Sequence, residues 1–169
     1  QNGASTVTTI DVGYGILHER LVSDARVEVY ERLNIRDAVP IFDGKKFQLL
    51  VADLSFISLR VVLEDLVALS KEGTPLVLLV KPQFEAGRVE ATRGQGVIKN
   101  PEIWHRVLKE VSACVSEAKF GVISVMVSPL RGASGNTEFL VHCQNGSQVS
   151  LEVASIEQVV EEARVVGSL

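Results

Sequence analysis

The 169-residue chain has no apolar run long enough to cross a bilayer, and its first residues lack the basic, apolar and small-residue order of a signal peptide. A cytoplasmic protein with no membrane partner is therefore the expectation. Its two cysteines, Cys114 and Cys143, are too few for a disulfide framework and lack metal-site spacing, so both read as buried structural thiols and no metal is expected. There is no basic surplus either: 17 Lys and Arg against 21 Asp and Glu leave a net charge of −4. A protein that gripped nucleic acid unaided would need cations to release counterions from phosphates, which argues against a self-sufficient nucleic-acid binder. A catalytic domain whose grip is supplied elsewhere stays open. No internal repeat or low-complexity segment is present. The length suits one domain with a full core, and 46% hydrophobic with 22% charged residues is ordinary for a globular protein.

What the chain does have is a run of apolar residues that stops on a lysine. Leu76 to Val80 carry no polar alternation, the pattern of a strand covered on both faces in a parallel sheet, and Lys81 follows at its carboxyl end. Pro82 cannot donate to a ladder and ends the strand. In open α/β sheets ligands bind beyond the strand carboxyl ends, which makes Lys81 a functional candidate; a solvated lysine capping a strand fits the same pattern.

Other strands also end on carboxylates. Val7 to Ile10 lead to Asp11, then to a glycine-containing turn at Gly13 and Gly15 and a helical pattern from Ile16 to Leu21. Val27 to Tyr30 lead to the polar loop Asn34-Ile35-Arg36-Asp37, and the apolar stretch Phe47 to Ala52 leads to Asp53. Ser58 reads as an N-cap, with Leu59, Val62, Leu63, Leu66 and Leu69 on one helical face and Gly73 as the stop. The segment Pro82 to Lys99 carries three glycines with Arg88, Arg93 and Lys99, and reads as a mobile functional lid or a disordered surface loop. Asn100 and Pro101 open a helix whose face runs through Ile103, Val107, Val111 and Val115. Phe120 to Val127 and Thr137 to Cys143 read as strands joined too closely for a helix, hence antiparallel. Residues 144–169 form a C-terminal extension with a charged surface helix over Ser155 to Val165. The expected fold is a single α/β domain over 1–169, with a Rossmann-like sheet that is mostly parallel and ends in an antiparallel hairpin.

In such a sheet Asp53, Lys81 and Glu138 come from three strand ends and are expected to converge on one crevice. Two carboxylates around an ammonium keep it charged or tune its proton affinity beside a hydroxyl nucleophile. A structural ion-pair cluster would look the same. Asp11 is placed to accept hydrogen bonds from a ribose diol, although strand-end aspartates also cap helices, and Asn34 to reach an adenine edge.

The segments Asp11-Val-Gly-Tyr-Gly, Glu31-Arg-Leu-Asn-Ile-Arg36, Asp53-Leu-Ser-Phe-Ile-Ser58, Leu79-Val-Lys-Pro-Gln-Phe-Glu-Ala-Gly-Arg88 and Gly135-Asn-Thr-Glu-Phe-Leu140 resemble, in this order and spacing, the bacterial TlyA family of hemolysin-like proteins. That family belongs to the FtsJ-type ribosomal RNA 2′-O-methyltransferases. The resemblance runs to about Cys143 and is most specific over Lys81 to Arg88. It implies S-adenosylmethionine as cofactor, a cytidine ribose 2′-hydroxyl as acceptor, and ribosomal RNA or a ribosomal subunit as partner of the full-length protein. It assigns Asp53, Lys81 and Glu138 as the last three members of a Lys-Asp-Lys-Glu catalytic set. Asp11, Asn34, Ile35 and Asp53 would bind cofactor, and Arg88 and Arg131 would touch RNA phosphate.

Family members begin with an S4-like RNA-binding domain, the first catalytic lysine, and a first strand with a glycine-rich cofactor loop. None of these is found here, and Gln1-Asn-Gly-Ala resembles the end of the helix after that loop, so the chain reads as a fragment lacking its first, central strand. The expectation is that two ladder edges are left in the sheet, that cofactor binds poorly, and that the fragment alone is inactive. Two other readings compete. An NAD-linked oxidoreductase would share the fold and Asp11, but it needs a Gly-x-Gly-x-x-Gly turn that this sequence lacks. A membrane-acting hemolysin would need a spanning segment or a basic amphipathic helix with an aromatic face.

Overall fold

The computed structural model describes residues 2–42, 44–149 and 151–166, apart from the side chains of residues 88, 154 and 166. The chain forms two compact units, Gln1–Lys45 and Lys46–Leu169.

In the first unit, strands β1 (Val7–Asp11) and β2 (Val27–Glu31) pair in parallel, from Val7 opposite Val27 to Asp11 opposite Glu31. Between them lies α1, Glu19–Val22, shorter and later than the helix expected from Ile16. The physical reason is local: His18 caps it by accepting the Arg20 N–H on its ring nitrogen, while the preceding loop spends its amides on carboxylates. Gly13 donates to Asp11 Oδ1 and Gly15 to Glu31 Oε1, both at 2.7 Å. After β2 come a 3₁₀ turn, Ile35–Asp37, and α2, Ala38–Ile41. Ala38 and Phe42 are buried, and Tyr30 meets Phe42 edge-on at 5.1 Å.

The second unit runs β3 (Leu50–Ala52), α3 (Leu59–Leu69), β4 (Pro75–Val80), α4 (Pro82–Glu85), α5 (Arg88–Arg93), α6 (Pro101–Glu117), β5 (Phe120–Val127), β6 (Phe139–Asn145) and α7 (Val153–Val166). Its sheet order is β3-β4-β6-β5. β3 and β4 are parallel, and β6 is antiparallel to both β4 and β5, with a register shift in β5 between Val122 and Ser124. The expected antiparallel hairpin is thus present, with β5 at the edge and the reversed strand β6 one place in.

The helices follow their cap chemistry. Ser58 accepts the Arg60 N–H at the start of α3, and the five residues read as its apolar face are its buried ones. Burying each is worth roughly 1.5–3 kcal/mol. Asn100 caps α6 through the Glu102 N–H, Pro101 follows, and Trp104, Val107, Leu108, Val111 and Val115 are buried. Helix α7 is not all surface: Ile156, Val159, Val160 and Ala163 are buried, packed toward α6 and β5.

Three expectations need correction. The stretch from Phe47 yields only a short strand: Phe47 makes an isolated bridge to Ser70, and Leu49 and Val51 are exposed. The pairing of β3 with β4 begins only at Leu50 opposite Leu76, because β4 starts at Pro75, which has no N–H to give a ladder. In β4 only Leu76, Leu78 and Val80 are fully buried, while the alternate residues are half-buried, so its apolar run is not covered equally on both faces. Residues 82–99 are no open lid. They hold α4 and α5, and Asn136 pins the segment by donating to the Gly96 carbonyl (2.9 Å) and accepting the Ile98 N–H (3.0 Å). Trp104 then donates to the Ile98 carbonyl at 2.9 Å. No described helix is long and apolar enough to cross a membrane, and no described group of three or more His, Cys, Asp or Glu is arranged to hold a metal.

Candidate active site

Strands β3 and β4 run side by side, and the residues just past their tips meet. The Lys81 ammonium lies 2.7 Å from Asp53 Oδ1 and donates to Ser55 Oγ at 3.0 Å. Lys81 is 13% exposed and Asp53 64% exposed, so the cation is largely covered while its counter-ion faces solvent. An ammonium carries three donors. Two are used among the described residues, which leaves one N–H for a ligand.

Glu138 is also buried, at 6% exposure. It stands immediately before β6, whose Phe139 is opposite Val80, so Lys81 and Glu138 follow one step beyond the last ladder pair. Its carboxylate, however, is not bonded to Lys81: Glu138 Oε1 accepts from Gln83 Nε2 at 3.2 Å. The expected pair of carboxylates around the ammonium is therefore one carboxylate, Asp53, with the second held alongside by an amide. Gln83 is a site residue that sequence reasoning missed.

The loop between β3 and α3 is fixed from below by Glu85, which is 3% exposed. One carboxylate oxygen accepts the Leu59 N–H (2.7 Å) and the other the Ser58 hydroxyl (2.5 Å), with Arg60 Nε 3.4 Å away. A carboxylate suits these donors because the first amides of a helix have no partner within it and carry its positive dipole end. The turn after Lys81 thereby anchors the start of α3, and with it the loop carrying Asp53 and Ser55. On that loop Phe56 is 91% exposed at φ 64°, and its ring lies 5.0 Å from that of Phe84. A residue other than glycine in the left-handed region carries backbone strain, and strained positions cluster at functional sites. Only the Asp-Leu-Ser-Phe sequence after the strand hinted at it.

In the first unit Asp11 is exposed, and only Oδ1 is committed, to Gly13. A free carboxylate oxygen at a strand tip fits a ribose hydroxyl. Asn34 spends its side-chain oxygen on the Arg36 N–H at the start of the turn that Ile35 opens, leaving its amide NH₂ for a ligand. Nearby, Arg32 lies over the exposed Tyr14 ring at 4.6 Å. Of the two expected phosphate contacts, Arg131 is exposed and donates to the Thr137 hydroxyl, while Arg88 opens α5 and its side chain lies outside the described residues.

Burial pushes the Cys143 thiol up to about 12. Cys114, on α6, is only partly buried, against the expectation; burial and then the nearby Glu117 raise its pKa as well.

The chain is similar to the 16S/23S rRNA (cytidine-2′-O)-methyltransferase TlyA of Mycobacterium tuberculosis, with 39% identity over 161 residues, 95% of this chain and 60% of that protein. It is equally similar to the rRNA-methyltransferase-named YqxC of Bacillus subtilis, 39% identical over 96% of this chain and 59% of that one. The chain thus spans under two thirds of the length of these curated relatives. Among solved structures, a hemolysin-named protein from Streptococcus thermophilus superposes with a TM-score of 0.90 at 37% identity, covering 97% of this chain and 60% of that one. Residues 1–145 match the FtsJ-like methyltransferase model, and the chain belongs to that family.

Proposed function

We propose that this chain is the methyl-transferring part of an S-adenosylmethionine-dependent enzyme that methylates a ribose 2′-hydroxyl of a cytidine in ribosomal RNA. The observation that carries the reading is the covered Lys81 ammonium, paired at 2.7 Å with Asp53 and holding one N–H in reserve. The similarity to an rRNA cytidine-2′-O-methyltransferase supports the substrate class. The residues fit the cofactor, since Asp11 keeps a carboxylate oxygen free of protein partners among the described residues.

Asp11 would hold the cofactor ribose, Asn34 and Ile35 the adenine region, and Asp53 would serve both cofactor and lysine. When bound, the cofactor supplies a methyl on a sulfonium. Lys81 would donate its free N–H to the 2′-oxygen, which orients the hydroxyl and favours loss of its proton to solvent as the oxygen takes up the methyl. Asp53 and Ser55 keep the ammonium from rotating away. Methyl transfer needs in-line approach, so this orientation supplies much of the rate. Phe56 offers a ring on which an unpaired base stacks, the usual way single-stranded RNA is held. Arg131 and Arg88 would contact phosphate. The net charge of −4 supports a reading in which these residues do not grip RNA unaided.

The test is transfer of labelled methyl to ribosomal subunits by the full-length protein and by its Lys81→Met variant. The unaltered protein should label a 2′-oxygen and the variant should lose at least about 100-fold in rate. Equal rates would refute the assignment of Lys81. Calorimetric titration of S-adenosylmethionine should show binding by the full-length protein and weak or no binding by this chain alone. Equal affinity would show that the cofactor site is complete within these residues.

A further inference from the structure

Glu138 is held where it is by two residues that the catalytic reading leaves without a role. The first is Gln83, two positions after Lys81 on the turn that ends β4. Its amide nitrogen donates to Glu138 Oε1 at 3.2 Å, and its own Oε1 is buried with no partner among the described residues. A buried unpaired carbonyl is costly, and an apolar residue of the same shape would avoid that cost. The amide is therefore worth keeping for the bond its nitrogen makes.

The second is Gly132. Its backbone, at φ −72° and ψ −177°, is open to any residue, so conformation does not require glycine here. Space does: a Cβ at this position would lie 2.0 Å from Glu138 Oε1 and 2.5 Å from Glu138 Cδ. The clash is with the end of a flexible side chain and not with backbone. An alanine would be accommodated by moving the carboxylate, with the fold left in place.

Resting on the methyltransferase reading above, we infer that Gln83 and Gly132 are positioning residues that fix the Glu138 carboxylate beside the Lys81 strand tip: Gln83 by its N–H, Gly132 by the room it leaves. They act on the reaction through Glu138 and touch neither substrate nor cofactor. The inference separates them from residues that merely stabilise the turn, because a displaced carboxylate alters the turnover step and leaves binding and folding alone.

The experiment compares the full-length protein with its Gln83→Met, Gly132→Ala, Glu138→Ala and Lys81→Met variants. It measures kcat, KM for ribosomal RNA, cofactor Kd and Tm. Gln83→Met keeps the side-chain length and removes the donor; Gly132→Ala pushes on the acceptor. Each should lower kcat by about tenfold or more, since misplacement near 1 Å can cost about 100-fold, with KM, Kd and Tm close to those of the parent. In a Glu138→Ala background, Gln83→Met should have almost no further effect, because both changes remove one interaction. Unchanged kcat in both single variants overturns the inference, as does a Gln83→Met loss that persists in full without Glu138. If the unaltered protein transfers no methyl, or Lys81→Met matches it, the methyltransferase reading falls first and this inference with it. An active parent with unaffected variants removes the inference alone.

Discussion

Replacing Glu85 with alanine tests whether the turn after Lys81 holds the neighbouring helix start. The substitution removes the acceptors of the Leu59 N–H at 2.7 Å and of the Ser58 hydroxyl at 2.5 Å. Leu59 is 2% exposed, so its N–H is left buried and unpaired, at a cost of about 1–3 kcal/mol. Loss of the charge-assisted bond to Ser58 and of a carboxylate at the helix N-terminus adds about 1–3 kcal/mol. The Arg60 contact, at 3.4 Å with that side chain a third exposed, adds little, and Arg60 keeps Glu110 at 3.0 Å. The sum, about 2–6 kcal/mol, corresponds to a fall in Tm of roughly 4–24 °C for a chain of this size. Glu85→Gln retains an oxygen for the Leu59 N–H and should lose about 1 kcal/mol. Urea and thermal unfolding measure both. Amide exchange should quicken in residues 53–60 of Glu85→Ala well before the sheet, because the loop carrying Asp53 loses its tether. A loss below about 1 kcal/mol in Glu85→Ala, or exchange that quickens equally everywhere, would refute the tethering role.

Phe56→Ala should change stability by no more than about 0.5 kcal/mol, since the ring is 91% exposed, yet raise the KM for RNA severalfold, base stacking being worth about 1–3 kcal/mol. An unchanged KM would remove the ring from the RNA site. Trp104→Phe deletes the donor to the Ile98 carbonyl and should cost about 2 kcal/mol, with faster proteolysis of residues 94–98 as the local sign; a protease-resistant variant would mean that Asn136 alone holds the segment. At pH 8 the native Cys143 thiol, raised to about 12 by burial, should be inert to a thiol reagent, and Cys114 should react more slowly than a free thiol. Both should react in denaturant, and rapid modification of native Cys143 would contradict its burial.

How far the sequence could be read depends on the distance over which each feature is decided. The start of α3 at Ser58, its buried face to Leu69, and the Asn100-Pro101 start of α6 are set within one or two turns by capping and period, and both helices start as read, although α3 ends at Leu69 with Ser70 as its cap and not at Gly73. The lysine at the end of β4 was legible for the same reason, since an apolar run and a proline mark it locally. The pairing of Glu138 with Gln83 spans 55 residues and depends on the register of β6 against β4, which no local signal states. The pinning of residues 94–98 depends on Asn136, about 40 residues away, so glycines and charges alone read as a loop. Phe47 to Leu49 failed as strand for a complementary reason. An apolar run predicts a strand only where a partner strand is there to pair with it, and β4 begins at Pro75, too late to pair with Phe47 to Leu49.

These distances also bear on why Lys81 to Arg88 is so specific a sequence. Lys81 faces Asp53 and Ser55; Pro82, buried, closes β4 and opens α4; Gln83 takes Glu138; Phe84 lies beside Phe56; Glu85 takes the start of α3. Four of these five consecutive residues thus each serve a different place: the loop after β3 through Asp53 and Ser55, the residue before β6, the ring of Phe56, and the start of α3. A single turn with that many obligations tolerates little substitution, whether or not each member touches the reacting atoms. It follows that matching this segment detects the scaffold around the lysine as strongly as the chemistry. Substitutions along it should separate by consequence: Lys81 in the rate of transfer, Gln83 in turnover alone, Phe84 in RNA affinity through Phe56, and Glu85 in stability. One uniform phenotype across the segment would mean that the turn acts as a single folding element and that the division of roles argued from these contacts is wrong.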